Sequence, residues 1–258
     1  MIKIGITERG DAALDTSWIQ KLDDLSYAVV ITKNLPKLID KLIDLDHKKI
    51  LLHVTCTGWG GTTMEPNVPP KEAVLEALQK LIAHWFPANQ VVIRVDPIIP
   101  TTEGMTRFKD TVTMFAENGF DRFRISVIDM YRHVLDRFYK RDITPPFTLF
   151  QCPSVGMGKI AAALYDLHDT YPDITFELCA EHALANIAIA PHSASFIVEQ
   201  GCVNRYDATE IFNIPYHALI PAPNGMQRKT CLCLPQKTEL LNIRKQCPHA
   251  CAYCYWKD

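Results

Sequence analysis

The stretch ILLHVTCTGWGGTTMEPNVPPKEAVLEALQKLIAHWFPANQVVIRVD, residues 50–96, decides the fold class of this chain. Its two ends, ILLHVTC (50–56) and VVIRVD (91–96), are short runs rich in Val, Ile and Leu and read as strands. Between them PPKEAVLEALQKLIAHW (69–85) sets Val74, Leu78, Leu81 and Ile82 on one helical face, with Pro at the start where a helix tolerates it. Strand, helix and strand at this spacing make a parallel crossover unit.

The same pattern extends outward. IKIGIT (2–7), AVVIT (28–32), FRISVID (123–129) and ITFELCA (174–180) read as further strands. MTRFKDTVTMFAENG (105–119) reads as a helix ending on a Gly suited to its C-cap. The strand runs are too apolar for a sheet with one wet face and fit a parallel sheet covered by helices. The expected class is therefore α/β, a (β/α) barrel, complete or partial, with an open doubly wound sheet as the alternative. Beyond residue 185 FIVEQGC (196–202) is a candidate strand, PYHALIPAPNG (215–225) a Pro-rich connection and ELLNI (239–243) the candidate last strand. No internal repeat or domain boundary emerges, so residues 1–258 are expected to form one domain.

With 48% hydrophobic and 22% charged residues, the composition supports a sizeable core. The formal net charge of -2 excludes a broad basic field for nonspecific nucleic-acid binding. No run reaches the ~20 apolar residues of a membrane span, so no membrane partner is expected. MIKIGITERGD at the N-terminus lacks the apolar core of a signal peptide, and the expected location is cytoplasmic.

Nine cysteines, an odd number, in a chain of this size argue against a disulfide framework. Five of them, Cys231, Cys233, Cys247, Cys251 and Cys254, fall within residues 228–258, a cysteine-rich segment expected to bind a metal or cluster. QCPHACAYCYWKD (246–258) spaces three as C-x3-C-x2-C on a loop short enough to curl around one centre. Soft thiolates suit Zn²⁺ or an iron–sulfur cluster. A structural zinc needs four ligands, whereas three cysteines on a [4Fe–4S] cube leave one iron open. Cys231 and Cys233 are read three ways: a fourth ligand closing that site, part of a second metal site, or two free thiols.

Ligands of parallel α/β folds sit at the carboxyl ends of the strands. TGWGGTTMEPN, residues 57–67, is glycine-rich after a strand, so the backbone at Gly60 and Gly61 either approaches an anion or makes a plain turn, with Glu65 beside it. Arg94 and Asp96 alternate along a strand and share a face. They either line an active site or form a buried ion pair. Tyr131 and Glu181 stand at two further strand ends and are read the same way. Lys33 is a candidate for an anionic substrate, and His53 reads as a satisfied core histidine.

The motifs CTGWGGTTMEPNVPP (56–70), RVDPII (94–99), SVIDMY (126–131), CAE (179–181), RKTCLC (228–233) and CPHACAYCYW (247–256), with Arg9, Asp11, Trp18 and ITKN (31–34), carry a resemblance that runs nearly end to end. The chain resembles a bacterial and phage family of circularly permuted radical S-adenosyl-L-methionine (SAM) proteins with a DNA-repair-photolyase-like label. It departs from that family at the first position of ITKN, usually Trp, and in lacking Asp-Ile-Gly between CLC and the cysteine loop. Tyr253 holds the aromatic place before the last cysteine.

The resemblance implies a permuted barrel whose cluster loop, normally after the first strand, lies at the C-terminus. It implies that Cys247, Cys251 and Cys254 bind [4Fe–4S], whose open iron chelates SAM for cleavage to a 5′-deoxyadenosyl radical. Gly60, Gly61, Glu65, Arg94, Asp96, Tyr131 and Glu181 would then surround SAM. The label points to a modified or damaged nucleobase in DNA, or a nucleotide, as substrate, and the chemistry to an external electron donor such as flavodoxin or ferredoxin. The competing class is a non-catalytic iron–sulfur or zinc protein whose site four cysteines close.

Overall fold

The computed structural model of the chain describes residues 2–189, 194–221, 231–242 and 247–256. Each apolar run between residues 2 and 180 forms a strand close to its expected limits: β1 (Ile4–Ile6), β2 (Tyr27–Thr32), β3 (Ile50–Thr55), β4 (Val91–Ile98), β5 (Arg122–Val127) and β6 (Thr175–Leu178). β7 (Ile197–Glu199) lies within FIVEQGC. β8 (Lys237–Glu239) starts two residues before ELLNI. The polar Lys-Thr-Glu run pairs with β1 from Ile4↔Lys237 to Ile6↔Glu239, and Leu240 and Leu241 continue past it into the core. Ile243, the end of ELLNI, lies outside the described residues, as do parts of PYHALIPAPNG and RKTCLC.

All eight strands form one parallel sheet in the order β7-β6-β5-β4-β3-β2-β1-β8. Strands β1 to β7 lie side by side in sequence order, and β8 sits beyond β1 at the opposite edge from β7. A barrel opened between β7 and β8 shares this order with a sheet that switches direction at β1. The helices are α1 (Leu35–Ile43), α2 (Lys71–Ala83), α3 (Thr102–Ala116), α4 (Arg132–Lys140), α5 (Ser154–Thr170) and α6 (His182–Ala188). Local chemistry sets several of their starts. Asn34 accepts the Lys37 N–H at α1, Thr101 accepts the Gly104 N–H at α3, and Pro69-Pro70 leads into α2. No helix among the described residues is long and apolar enough to cross a membrane.

The two faces of the sheet differ because side chains alternate along each strand. Val30, Leu52, Ile93, Phe123 and Phe176 pack against Leu38, Leu78, Phe108 and Leu164 from the helices. On the opposite face Ile4, Ile6, Tyr27, Val29, Leu51 and Val92 meet Val203, Ala208, Ile214 and Leu219, which follow β7, and Leu234, which precedes β8. Tyr27 stacks on Phe212 at 4.1 Å between ring centroids. Toward β5 and β6 this second face becomes charged: buried Arg122 donates to Glu177 at 2.7 Å and to Asp207 at 2.6 Å, and Arg124 donates to Glu177. Helix α4 joins neither layer, and its Val134 and Phe138 pack with Trp59, Met64 and Cys251.

Phe123 is fully buried between sheet and helices, its ring centroid 6.0 Å from that of Phe176. Phe123→Ala is expected to lower unfolding free energy by about 3–5 kcal/mol through lost burial and the cavity left. Urea denaturation reads this directly, and a cost below about 1 kcal/mol would mean that the helix layer does not rest on this position.

Candidate functional site

The cysteine loop is seated by polar contacts with several strand ends. Asp11, beyond β1, accepts from His249 Nε2 at 2.7 Å, from Thr32 Oγ1 at 2.7 Å and from the Lys33 N–H at 2.7 Å. His249 Nδ1 meets the Asn67 carbonyl at 3.1 Å, and Asn67 Nδ2 donates to the Pro248 carbonyl at 2.7 Å. From α4, Arg137 donates to the Ala252, Cys254 and Trp256 carbonyls at 3.1, 2.7 and 2.8 Å. Arg141 donates to the Ala250 carbonyl at 2.7 Å. Ala250 takes a left-handed φ of 52°, which turns the chain between Cys247 and Cys251.

A second anchor lies beneath the loop. Tyr253 donates its hydroxyl to Glu65 Oε1, and Lys33 Nζ reaches Glu65 Oε1 at 2.9 Å and the Tyr253 hydroxyl at 2.7 Å. Burial opposes the charge on Lys33, but the Glu65 carboxylate and the nearby Cys251 more than offset it and hold its pKa above the ordinary lysine value. Burial also pushes the Cys251 thiol up to about 12, with Lys33 acting against that rise. Cys247 and Cys254 both lie within electrostatic range of Cys251. The donor set thus fits a thiophilic centre: three thiols on one turn, with a cation beside the most buried of them.

The other expected residues occupy several places. Arg94 and Asp96 form an ion pair on the sheet face opposite the helices, and Ser126 donates to Asp96 at 2.5 Å. Burial raises the Asp96 carboxyl, yet Arg94, the Ser126 hydrogen bond and Lys33 together hold its pKa below the ordinary value. Glu181 accepts the Val127 N–H at 2.9 Å. Tyr131 precedes α4 and packs edge-on against Phe150. Gly60 passes so close to Pro69 that a Cβ there would lie 2.0 Å from its carbonyl oxygen. Gly61 has φ +76° and donates its N–H to the Glu65 carbonyl at 3.0 Å. Glu65 itself, expected beside a ligand, is buried in the loop anchor.

Cys231 and Cys233 do not join the loop. They pack in the core cluster of Ile4, Tyr27 and Val203, whereas Cys251 packs with Trp59 and Met64. None of the nine cysteines forms a disulfide. Among the described residues no three Cys, His, Asp or Glu side chains are already gathered around one coordination point.

Residues 16–256 match a family described as Domain of unknown function (DUF1848). The chain belongs to that family. No curated protein matches it. Among solved structures it is similar to a beta-mannanase from Thermomonospora fusca, at 9% identity and a TM-score of 0.45, over 83% of this chain and 76% of that one. It is also similar to a probable tagatose 6 phosphate kinase from Sinorhizobium meliloti 1021, at 11% identity and a TM-score of 0.39, over 82% and 55%. This DUF1848 chain thus spans about half the length of the kinase. Likeness of this degree says nothing about its activity.

Sequence reading did not identify the anchoring roles of Asp11, His249 and Asn67. The signal was present, since a histidine inside a cysteine loop needs a partner and Asp11 is an acidic residue just past a strand. His53 is buried as expected but not satisfied, because neither ring nitrogen has a hydrogen-bond partner among the described residues.

Burial raises the Asp11 pKa, but hydrogen bonds from His249 and Thr32 outweigh it and leave it below 3.8. A depressed carboxyl stabilises the fold at pH above its unfolded value, and that contribution is lost as pH falls through the folded value. Protection of residues 247–254 should therefore hold on acidification to about the unfolded aspartate value of 3.9 and fail below it. Asp11→Asn should remove a charge-assisted bond worth about 1.5–3 kcal/mol and speed hydrogen exchange there roughly ten- to a hundredfold at neutral pH. Unchanged exchange in the variant would show that this bond does not seat the loop.

Proposed function

We propose that this DUF1848 protein is a radical SAM enzyme on a circularly permuted (β/α) barrel, with a [4Fe–4S] cluster held by Cys247, Cys251 and Cys254. The observation that carries this reading is the docking of a C-x3-C-x2-C turn onto the strand ends, with Cys231 and Cys233 in a different core cluster. A fourth protein ligand from that pair would close the site, so their separation favours an open iron over the non-catalytic alternative. Barrel curvature is supported by the Leu234 N–H donating to the Val203 carbonyl at 2.9 Å, which ties the segment after β7 to the one before β8, the two edge strands of the sheet. In the permuted reading β8, beside β1, takes the place of the family's first strand.

When bound, the reduced cluster supplies the electron that cleaves SAM and starts hydrogen abstraction from the substrate. The chain's own groups hold and orient. Lys33 keeps positive charge next to Cys251, which favours its thiolate. Arg94 with Asp96, and Glu181 at a neighbouring strand end, offer charged contacts for the carboxylate, ammonium and ribose groups of SAM. Trp59, with Arg107 over its ring at 4.6 Å, and Tyr253 wall the loop with aromatic surface that excludes water. The substrate is a modified or damaged base, extruded from DNA or carried on a free nucleotide, which a net charge of -2 suits better than a long duplex grip. The electron comes from an external flavodoxin or ferredoxin.

Anaerobic reconstitution with iron and sulfide, then EPR of the reduced protein with and without SAM, tests the reading. SAM should change the cluster signal, and an identical signal in both samples would favour the closed, non-catalytic site. Replacing any one of Cys247, Cys251 and Cys254 with Ala should abolish the brown chromophore, and full iron loading in all three variants would end the assignment.

The SAM contacts have their own test. Asp96→Ala and Glu181→Ala should keep the cluster but weaken SAM binding by about 1.5–3 kcal/mol, roughly ten- to a hundredfold. Calorimetric titration that returns wild-type affinity for both would put the pocket elsewhere.

A further inference from the structure

Four cysteines outside the loop, from three separate segments, meet in the interior. Cys179 follows β6, Cys202 follows β7, and Cys231 and Cys233 precede β8. The Cys179 and Cys202 sulfurs are 3.3 Å apart. Cys202 also interacts with Cys233, and Cys233 with Cys231. Cys202, Cys231 and Cys233 pack in one cluster with Cys179 against it, so the four thiols are neighbours in a row. All four lie in or against the core cluster on the sheet face opposite the helices.

Two further observations point to a ligand at this row. Gly201 brings the segments together, because a Cβ there would fall 2.5 Å from the Cys233 backbone nitrogen. Buried donors with unused hydrogens also lie within electrostatic range of two of the sulfurs. Arg94 Nε, Arg124 Nε and Arg124 Nη1 have no hydrogen-bond partner among the described residues. Both arginines feel the charges of Cys179 and Cys202, and Lys237 feels those of Cys231 and Cys233. A cationic, water-poor surround of this kind stabilises several thiolates at once.

We propose that Cys179, Cys202, Cys231 and Cys233 form a second metal site that binds one soft divalent ion of the zinc class in a tetrathiolate. The 3.3 Å between the Cys179 and Cys202 sulfurs favours a single ion over a cluster. An ion with bonds of about 2.3 Å to four tetrahedral sulfurs sets them roughly 3.8 Å apart, close to the observed contact, whereas a cube spreads its thiolates much farther. Binding converts the row to a tetrahedron by closing its ends and releases the thiol protons. The site is independent of SAM chemistry and fastens the segments after β6 and β7 to the one before β8.

Cobalt(II) reports thiolate coordination by its visible absorption, so the probe is Co²⁺ titrated anaerobically and then displaced with Zn²⁺. The protein is the full chain with Cys247, Cys251 and Cys254 all replaced by Ala, which removes the loop site. About one Co²⁺ per chain should bind with tetrahedral thiolate bands. Adding Cys202→Ser or Cys233→Ser should weaken it by more than about tenfold, and Gly201→Ala should weaken it with every thiol still present. No cobalt–thiolate bands in a variant with wild-type circular dichroism, or bands unaffected by Cys202→Ser and Cys233→Ser, would overturn the proposal. Should the triple replacement fail to fold, elemental analysis of Cys202→Ser in the otherwise wild-type chain replaces it. Loss of one zinc with the loop's iron unchanged supports the site, and unchanged zinc overturns it. Loss of loop iron alone touches only the proposed SAM chemistry.

Discussion

The carboxylate of Asp11 joins parts of the chain 238 residues apart: it takes the His249 ring on one side and the Thr32 hydroxyl and Lys33 N–H on the other. A buried carboxylate is tolerated only when its oxygens are satisfied, and here they are. The arrangement of the cysteine turn depends on this group. Once His249 is fixed, the backbone on either side is placed, and Tyr253 falls where Glu65 and Lys33 receive it. A surface loop becomes a seated one by burying polar groups in matched pairs rather than by apolar packing alone.

How much of this was legible in the sequence depends on which forces act on each part. The β-branched runs of β2, β3 and β4 were readable because burial on both faces leaves a continuous apolar signal. β8 was not, because a Lys-Thr-Glu edge strand has no such signal, and only pairing with β1 reveals it. The charged face was hidden for a related reason. Arg122, Arg124 and Glu177 alternate with apolar residues as they would on a solvated strand, and their partners beyond the sheet include Tyr206 and Asp207, far along the chain. Spacing marked Cys247, Cys251 and Cys254 because three ligands on one turn are a local pattern. Cys179 and Cys202 looked scattered because their proximity comes from strand order alone.

Arg94 and Asp96 show why a residue can be found without its role being fixed. Alternation put both on one face, and the structure gives them an ion pair that satisfies Asp96 but leaves Arg94 Nε without a partner among the described residues. A buried pair of this kind is weak support for stability, since taking two charges from water costs about what their attraction returns. Beyond Asp96, Arg94 also lies within electrostatic range of Cys202 and Cys179.

The two cysteine groups differ in a way that follows from their surroundings. Around Cys251 the nearest charges are one lysine and one carboxylate, already paired with each other, so little positive charge remains for several thiolates. A centre bound there must itself balance its ligands, which an iron–sulfur cluster does by spreading charge over several irons. Around Cys202 the fixed cations are arginines with unused N–H groups, which stay charged at any pH the fold survives. Such a surround suits an ion that never changes oxidation state. On the proposed reading, one interior would keep a redox-active site and an inert one apart without a wall between them, because the charges fixed by the sheet set which centre each group of thiols would stabilise.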